Sequence, residues 1–126
     1  MNMKIRESEE MYLETIFLLQ KRSGFVRSVD VAEELGYSRP SVSRAVGLLS
    51  NKKYIQIGAG GEITLTEEGN ARAMEIYERH EVITRILLAL GADTELAEEN
   101  ACRIEHVISP ELFALLKQYV EKMNKN

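Results

Sequence analysis

The chain has 126 residues, of which 44% are hydrophobic and 29% charged, with a formal net charge of −4. That composition supports a real core, so disorder is not the default, and the length allows one domain or a small domain plus an oligomerisation segment. No apolar run approaches the roughly 20 residues that span a bilayer, the N-terminus lacks a signal-peptide core, and the single Cys excludes a disulfide framework. A soluble, cytoplasmic protein with no membrane partner is expected. Aromatics are only 6%, Trp is absent, and the apolar stretches are rich in Leu, Ile, Val and Ala, which points to a mainly α protein.

Residues 8–22 are the first predicted helix. Ser8 is its expected N-cap, Glu9 and Glu10 fall in its first turn, and Tyr12, Leu13, Ile16, Phe17 and Leu19 give an apolar face. Met11 and Glu14, three apart, lie along one edge of that face. A short helix follows from Ser28, the expected cap, with Val29, Ala32 and Leu35 inward and Gly36 at its stop. Tyr37 then turns into a helix capped by Ser38, with Pro40 tolerated in the first turn. Val42, Ala45, Val46 and Leu49 face inward, leaving Arg39, Ser41, Ser43 and Arg44 largely outward.

Two short helices joined by a Gly-containing turn form a helix-turn-helix, whose second helix enters the major groove of DNA. The run from Lys52 to Ile57 is a strand candidate, Gly58-Ala59-Gly60-Gly61 turns, and Glu62 to Leu65 returns. A hairpin directly after a recognition helix is the wing of a winged helix-turn-helix. Between Leu35 and Gly61 there is no acidic residue, while Arg39, Arg44, Lys52 and Lys53 fall inside. Ser38, Pro40, Ser41, Ser43 and Arg44 are therefore expected on bases and backbone, and Arg39, Lys52 and Lys53 on phosphates. The glycines lack the following Lys-Ser/Thr of a P-loop, so nucleotide binding is not expected.

Thr66 is the predicted N-cap of a long helix reaching about Leu90, with Ile76, His80, Ile83, Thr84 and Leu87 on one side. Gly91 ends it. Thr94 or Asp93 caps the next helix, predicted to run through Ile108, and Ser109-Pro110-Glu111 starts the last one. From Asp93 to Glu111 six acidic residues face the lone Arg103. The apolar stripe Leu112, Leu115, Leu116, Tyr119, Val120 and Met123 exceeds what so short a chain can hide, which predicts a homodimer.

On a helix, Cys102, Glu105 and His106 share one face, three and four positions apart. Sulfur, oxygen and nitrogen donors converging within one turn suit a borderline divalent transition metal better than a hard ion such as Mg²⁺. Three ligands do not complete a shell, so Met11 and Glu14 are held as further candidates.

In this order, the winged helix, the helix carrying His80 and the Cys-x-x-Glu-His motif resemble the DtxR/MntR family of metal-dependent transcriptional repressors. The resemblance covers nearly the whole chain. Its most specific pieces are Glu10-Met11-Tyr12-Leu13 with Thr15-Ile16, and Ala101-Cys102-Arg103 with Glu105-His106-Val107. The iron-responsive branch implies Met11, Cys102, Glu105 and His106 as metal ligands. The manganese-responsive branch adds positions matching Glu14 and His80. Thr84 and Glu98 stand where the iron branch has a Glu and a His of an ancillary site, which predicts that site to be missing or altered. The SH3-like third domain of the longer iron regulators has no counterpart in this sequence.

The expected architecture is thus a winged helix-turn-helix DNA-binding domain over 1–66 and a helical dimerisation and metal-binding domain over 67–126. The expected function is a homodimeric repressor that binds double-stranded operator DNA when Fe²⁺, or second to it Mn²⁺, is bound, and that controls metal-ion homeostasis genes. The alternative is a metal-independent winged-helix regulator with Cys102 as a redox or core thiol. A small metalloenzyme, with Glu105 or Glu14 as general base, is not expected, because no substrate-binding motif or small-molecule substrate site is visible.

Overall fold

The computed structural model describes residues 3–125. Its elements are α1 (Met3–Ser23), α2 (Ser28–Leu35), α3 (Arg39–Asn51), β1 (Ile55–Ile57), β2 (Ile63–Leu65), α4 (Glu67–Ala89), α5 (Thr94–Ile104) and α6 (Pro110–Asn124). The chain divides into two compact units, Met1–Met74 and Glu75–Asn126, with α4 running through the division.

In the first unit, α1 packs on α2, α3 and β2, and α3 packs on α2 and β1. Leu13, Ile16, Val26, Val31, Val42, Leu49, Ile55 and Ile63 are its fully buried side chains. Helix α1 begins five residues before the expected cap, so Ser8 lies inside it and is exposed. The residues ahead of Ser8 contain neither Gly nor Pro, and good helix formers among them let the helix extend past a residue that would otherwise cap it. Glu9 and Glu10 consequently lie in the helix interior rather than in its first turn, and each finds a cation. Glu9 pairs with Lys52. The buried Glu10 carboxylate lies 3.4 Å from Arg6 and 3.5 Å from Arg72.

The cap of α2 is Arg27 rather than Ser28. The Asp30 carboxylate accepts a hydrogen bond from the Arg27 backbone N–H at 2.9 Å, and the Asp30 N–H donates back to the Arg27 carbonyl at 2.9 Å, so the helix closes on Arg27. Gly36 ends α2 in the left-handed conformation (φ 71°). Ser38 caps α3, its hydroxyl accepting from the Ser41 N–H at 3.3 Å. The expected strand from Lys52 shrinks to Ile55–Ile57, because Lys52 closes α3 and Lys53 takes a positive φ of 65°. Strand β1 pairs antiparallel with β2 in the register Ile55↔Leu65, Gln56↔Thr64, Ile57↔Ile63. The N–H of Ile63 also donates to the Val26 carbonyl at 2.7 Å, fastening the hairpin to the segment before α2. These elements form the winged helix-turn-helix.

Thr66 caps α4, accepting from the Gly69 N–H at 3.1 Å and donating to the Lys53 carbonyl at 2.7 Å. In the second unit Ile83, Ala101 and Ile108 form the core, with Leu87, Ile104, Phe113 and Leu116 packed against it. Asp93 caps α5 and Ser109 caps α6, each through a side-chain oxygen. Helix α5 stops at Ile104, short of the expected Ile108, and Glu105 is its C-cap. The N–H groups of Val107 and Ile108 both reach the Ile104 carbonyl, so the chain tightens and turns before Ser109, which the following Pro110 disfavours from helix. Among the described residues no helix is long and apolar enough to cross a membrane.

Candidate metal centre and nucleic-acid interface

Two elements of the second unit build one polar cluster. Helix α4 carries His80, α5 carries Glu98, and the turn that closes α5 carries Glu105 and His106. Glu105 is completely buried. Its Oε2 lies 2.9 Å from His80 Nδ1, and its Oε1 lies 3.2 Å from His106 Nε2. The other ring nitrogen of His80, Nε2, lies 2.6 Å from the Glu98 carboxylate. Carboxylate and imidazole therefore alternate from Glu98 through His80 and Glu105 to His106.

A carboxylate removed from water costs several kcal/mol unless a positive charge compensates it. A proton on His80 supplies such a charge. The Glu105 hydrogen bond raises the His80 pKa from 6.5 to about 9 against the opposing effect of burial, helped by the charge of Glu105 and by Glu98. Neutral imidazoles and a buried carboxylate are also the donors that a divalent transition metal takes, so the residues fit such an ion.

Cys102 sits on α5 between Glu98 and Glu105 and is exposed, which removes the core-thiol reading. Because α5 ends at Ile104, the three residues of the Cys-x-x-Glu-His motif do not share one regular helix, and only Glu105 and His106 turn inward. Sequence reasoning left Glu98 out of the ligand set. The signal lay in its spacing, since Glu98, Cys102 and Glu105 recur at helical intervals. Thr84, one turn after His80, is buried.

In the first unit, Met11 and Glu14 both lie on α1, with Glu14 buried. The Met11 sulfur accepts a hydrogen bond from the Tyr37 hydroxyl at 3.6 Å. On the recognition helix, Ser38, Arg39, Pro40, Ser43 and Arg44 are exposed and Ser41 is half-buried. The hydroxyls of Ser38 and Ser41 lie 2.9 Å apart, and the Arg44 guanidinium lies 3.4 Å from Ser41 Oγ. Lys53 is exposed in the turn after α3, and the exposed Lys52 side chain is drawn toward Glu9 by its ion pair. The wing tip, Ala59 to Gly61, carries no charge.

A winged helix-turn-helix followed by a helical unit with a buried carboxylate–imidazole cluster defines a DNA-binding regulator that takes a ligand. Two family models cover almost the whole chain. The iron dependent repressor N-terminal DNA binding domain matches residues 4–58, and the iron dependent repressor metal binding and dimerisation domain matches 66–126. The transcriptional regulator MntR of Escherichia coli O157:H7 is 33% identical over 117 residues, 93% of this chain and 76% of that protein. The diphtheria toxin repressor of Corynebacterium efficiens is 28% identical over 121 residues, 95% of this chain and 53% of that one. Among solved structures, a manganese-dependent transcriptional repressor in complex with manganese superposes with a TM-score of 0.83 at 24% identity, over 90% of this chain and 52% of that chain. The chain thus spans about half the length of the latter two proteins.

The chain belongs to the DtxR/MntR family of metal-dependent transcriptional repressors. Its relatives are regulators rather than enzymes.

Proposed function

We propose that this chain is a cytoplasmic homodimer that binds double-stranded operator DNA when charged with Fe²⁺, with Mn²⁺ the second metal, and represses genes of metal-ion homeostasis. The observation that carries the reading is Glu105, fully buried between two imidazoles within the segment that matches a metal-binding domain. The proposed ligands are Met11, Glu14, His80, Cys102, Glu105 and His106. The thioether and thiol in that set favour Fe²⁺, and its carboxylates suit Mn²⁺ next. The proposed division of labour is DNA binding by 1–66 and dimerisation with metal binding by 67–126.

A divalent cation would supply positive charge to these donors when bound. Met11 and Glu14 would then hold it from α1 of the DNA-binding domain, and His80, Cys102, Glu105 and His106 from the dimerisation domain. Ligands contributed by both domains would set the recognition helices of the dimer at the spacing of two operator half-sites. Ser38, Pro40, Ser41, Ser43 and Arg44 then meet bases and backbone, while Arg39, Lys52 and Lys53 meet phosphates.

Anaerobic titration of purified protein with Fe²⁺, Mn²⁺ and Zn²⁺, followed by DNA binding and repeated with Cys102→Ala, tests the ligand set. The variant is expected to need at least about tenfold more Fe²⁺ for the same DNA affinity. A variant that responds like the parent would remove the thiol from the set. DNA binding that ignores both metal and chelator would instead favour a metal-independent regulator with Cys102 as a redox thiol.

A further inference from the structure

Tyr37 is the one residue between the stop of α2 and the cap of α3, and three contacts hold it. Its backbone N–H donates to the Ala32 carbonyl at 3.2 Å, tying it to α2. Its ring meets Tyr12 of α1 edge-on, with centroids 6.2 Å apart and planes at 66°. Its hydroxyl donates to the sulfur of Met11, also on α1, at 3.6 Å. The residue after it, Ser38, starts the recognition helix through its cap on Ser41. Tyr37 thus ties α1 and α2 to the residue that caps the recognition helix.

A thioether sulfur that shares its electrons with a cation is a poorer acceptor for a hydroxyl, since both draw on the same lone-pair density. The Tyr37–Met11 hydrogen bond thus competes with ligation at that sulfur. We propose that Tyr37 is a positioning residue that reads the ligation state of Met11 at the helix-turn-helix: its hydroxyl restrains the turn while Met11 is unligated and is released when the sulfur binds a divalent metal. This rests on Met11 being a ligand.

The test uses the full chain titrated with Co²⁺, read by its visible absorption, in the parent, Tyr37→Phe, Met11→Leu and the double variant, with thermal unfolding in chelator as the check on folding. Phe keeps the ring and deletes the hydroxyl. Leu keeps the volume of Met11 to within a small change. Tyr37→Phe is expected to bind Co²⁺ about two- to fivefold more tightly, the reach of one modest hydrogen bond. Met11→Leu is expected to bind it at least about tenfold more weakly. In the Met11→Leu background, Tyr37→Phe is expected to change nothing, because the contact acts only through the sulfur.

Unchanged Co²⁺ affinity in Tyr37→Phe, with Met11→Leu weakened, overturns the role of Tyr37 and leaves Met11 a ligand. An equal gain in both backgrounds also overturns it. Unchanged affinity in Met11→Leu overturns the assignment of Met11 on which the inference stands.

Discussion

Glu105 has no exposed surface, and two imidazole nitrogens face its two oxygens. A positive charge beside a buried carboxylate offsets its lost hydration, and a proton on His80 supplies one. Because the fold raises the His80 pKa from 6.5 to about 9, the folded chain holds that proton more tightly than the unfolded chain does. The resulting stability is fully present below pH 6.5 and disappears as pH rises through about 9. Chelator-treated protein is therefore expected to show a falling urea midpoint between those two values. A midpoint independent of pH across that window would mean that Glu98 and Glu105 do not hold the His80 proton.

At this scale the sequence was only partly legible. Glu105 and His106 stood out from the motif, and both turn inward. Glu98 escaped because one carboxylate among several exposed ones on α5 looks like a solvated face, and only the fold brings it to 2.6 Å from His80. The exposure of Cys102 was hidden for a different reason, since spacing on an ideal helix does not show where the helix stops.

Helix boundaries follow local chemistry wherever a side-chain oxygen makes the cap. Ser38, Thr66, Asp93 and Ser109 were all readable on that ground, and each accepts an N–H from the first turn of its helix. Ser8 and Ser28 misled because capping preference is weak against a run of good helix formers or a reciprocal Arg27–Asp30 bond. The end of α5 was misplaced because the turn before Pro110 interrupts a pattern that periodicity alone continues.

Gly69 marks what no local pattern reveals. It lies in the first turn of α4, where Ala would ordinarily improve on Gly by roughly 0.5–1 kcal/mol. Here a Cβ would come within 1.9 Å of the Tyr54 carbonyl oxygen, a backbone atom at the entrance to the wing. Gly69→Ala is expected to destabilise the chain by about 1–3 kcal/mol, measured by urea denaturation. A variant as stable as the parent, or more so, would show that α4 and the wing do not pack as closely as the structure has them.

At the scale of the molecule, a DNA-binding family model matches residues 4–58 and a metal-binding and dimerisation model matches 66–126. In the single chain α6 leaves Leu112, Leu115 and Tyr119 at least half exposed, an apolar row suited to a second copy. Composition, helix order and the wing were enough to read a winged helix-turn-helix followed by a helical domain, because each depends on periodicity and turn residues rather than on distant contacts. The metal preference is not of that kind, since it depends on the arrangement of donors as much as on their identity.

Coupling between metal and DNA is the central claim, and fluorescence anisotropy measures it directly. The probe is a labelled duplex selected from a random-sequence pool by the metal-loaded protein. Affinity is compared in excess chelator and under anaerobic Fe²⁺, then with Mn²⁺. The account predicts DNA binding tighter by about 5- to 150-fold with metal, and metal binding tighter by the same factor when the duplex is present. Equal DNA affinity with and without metal would contradict it.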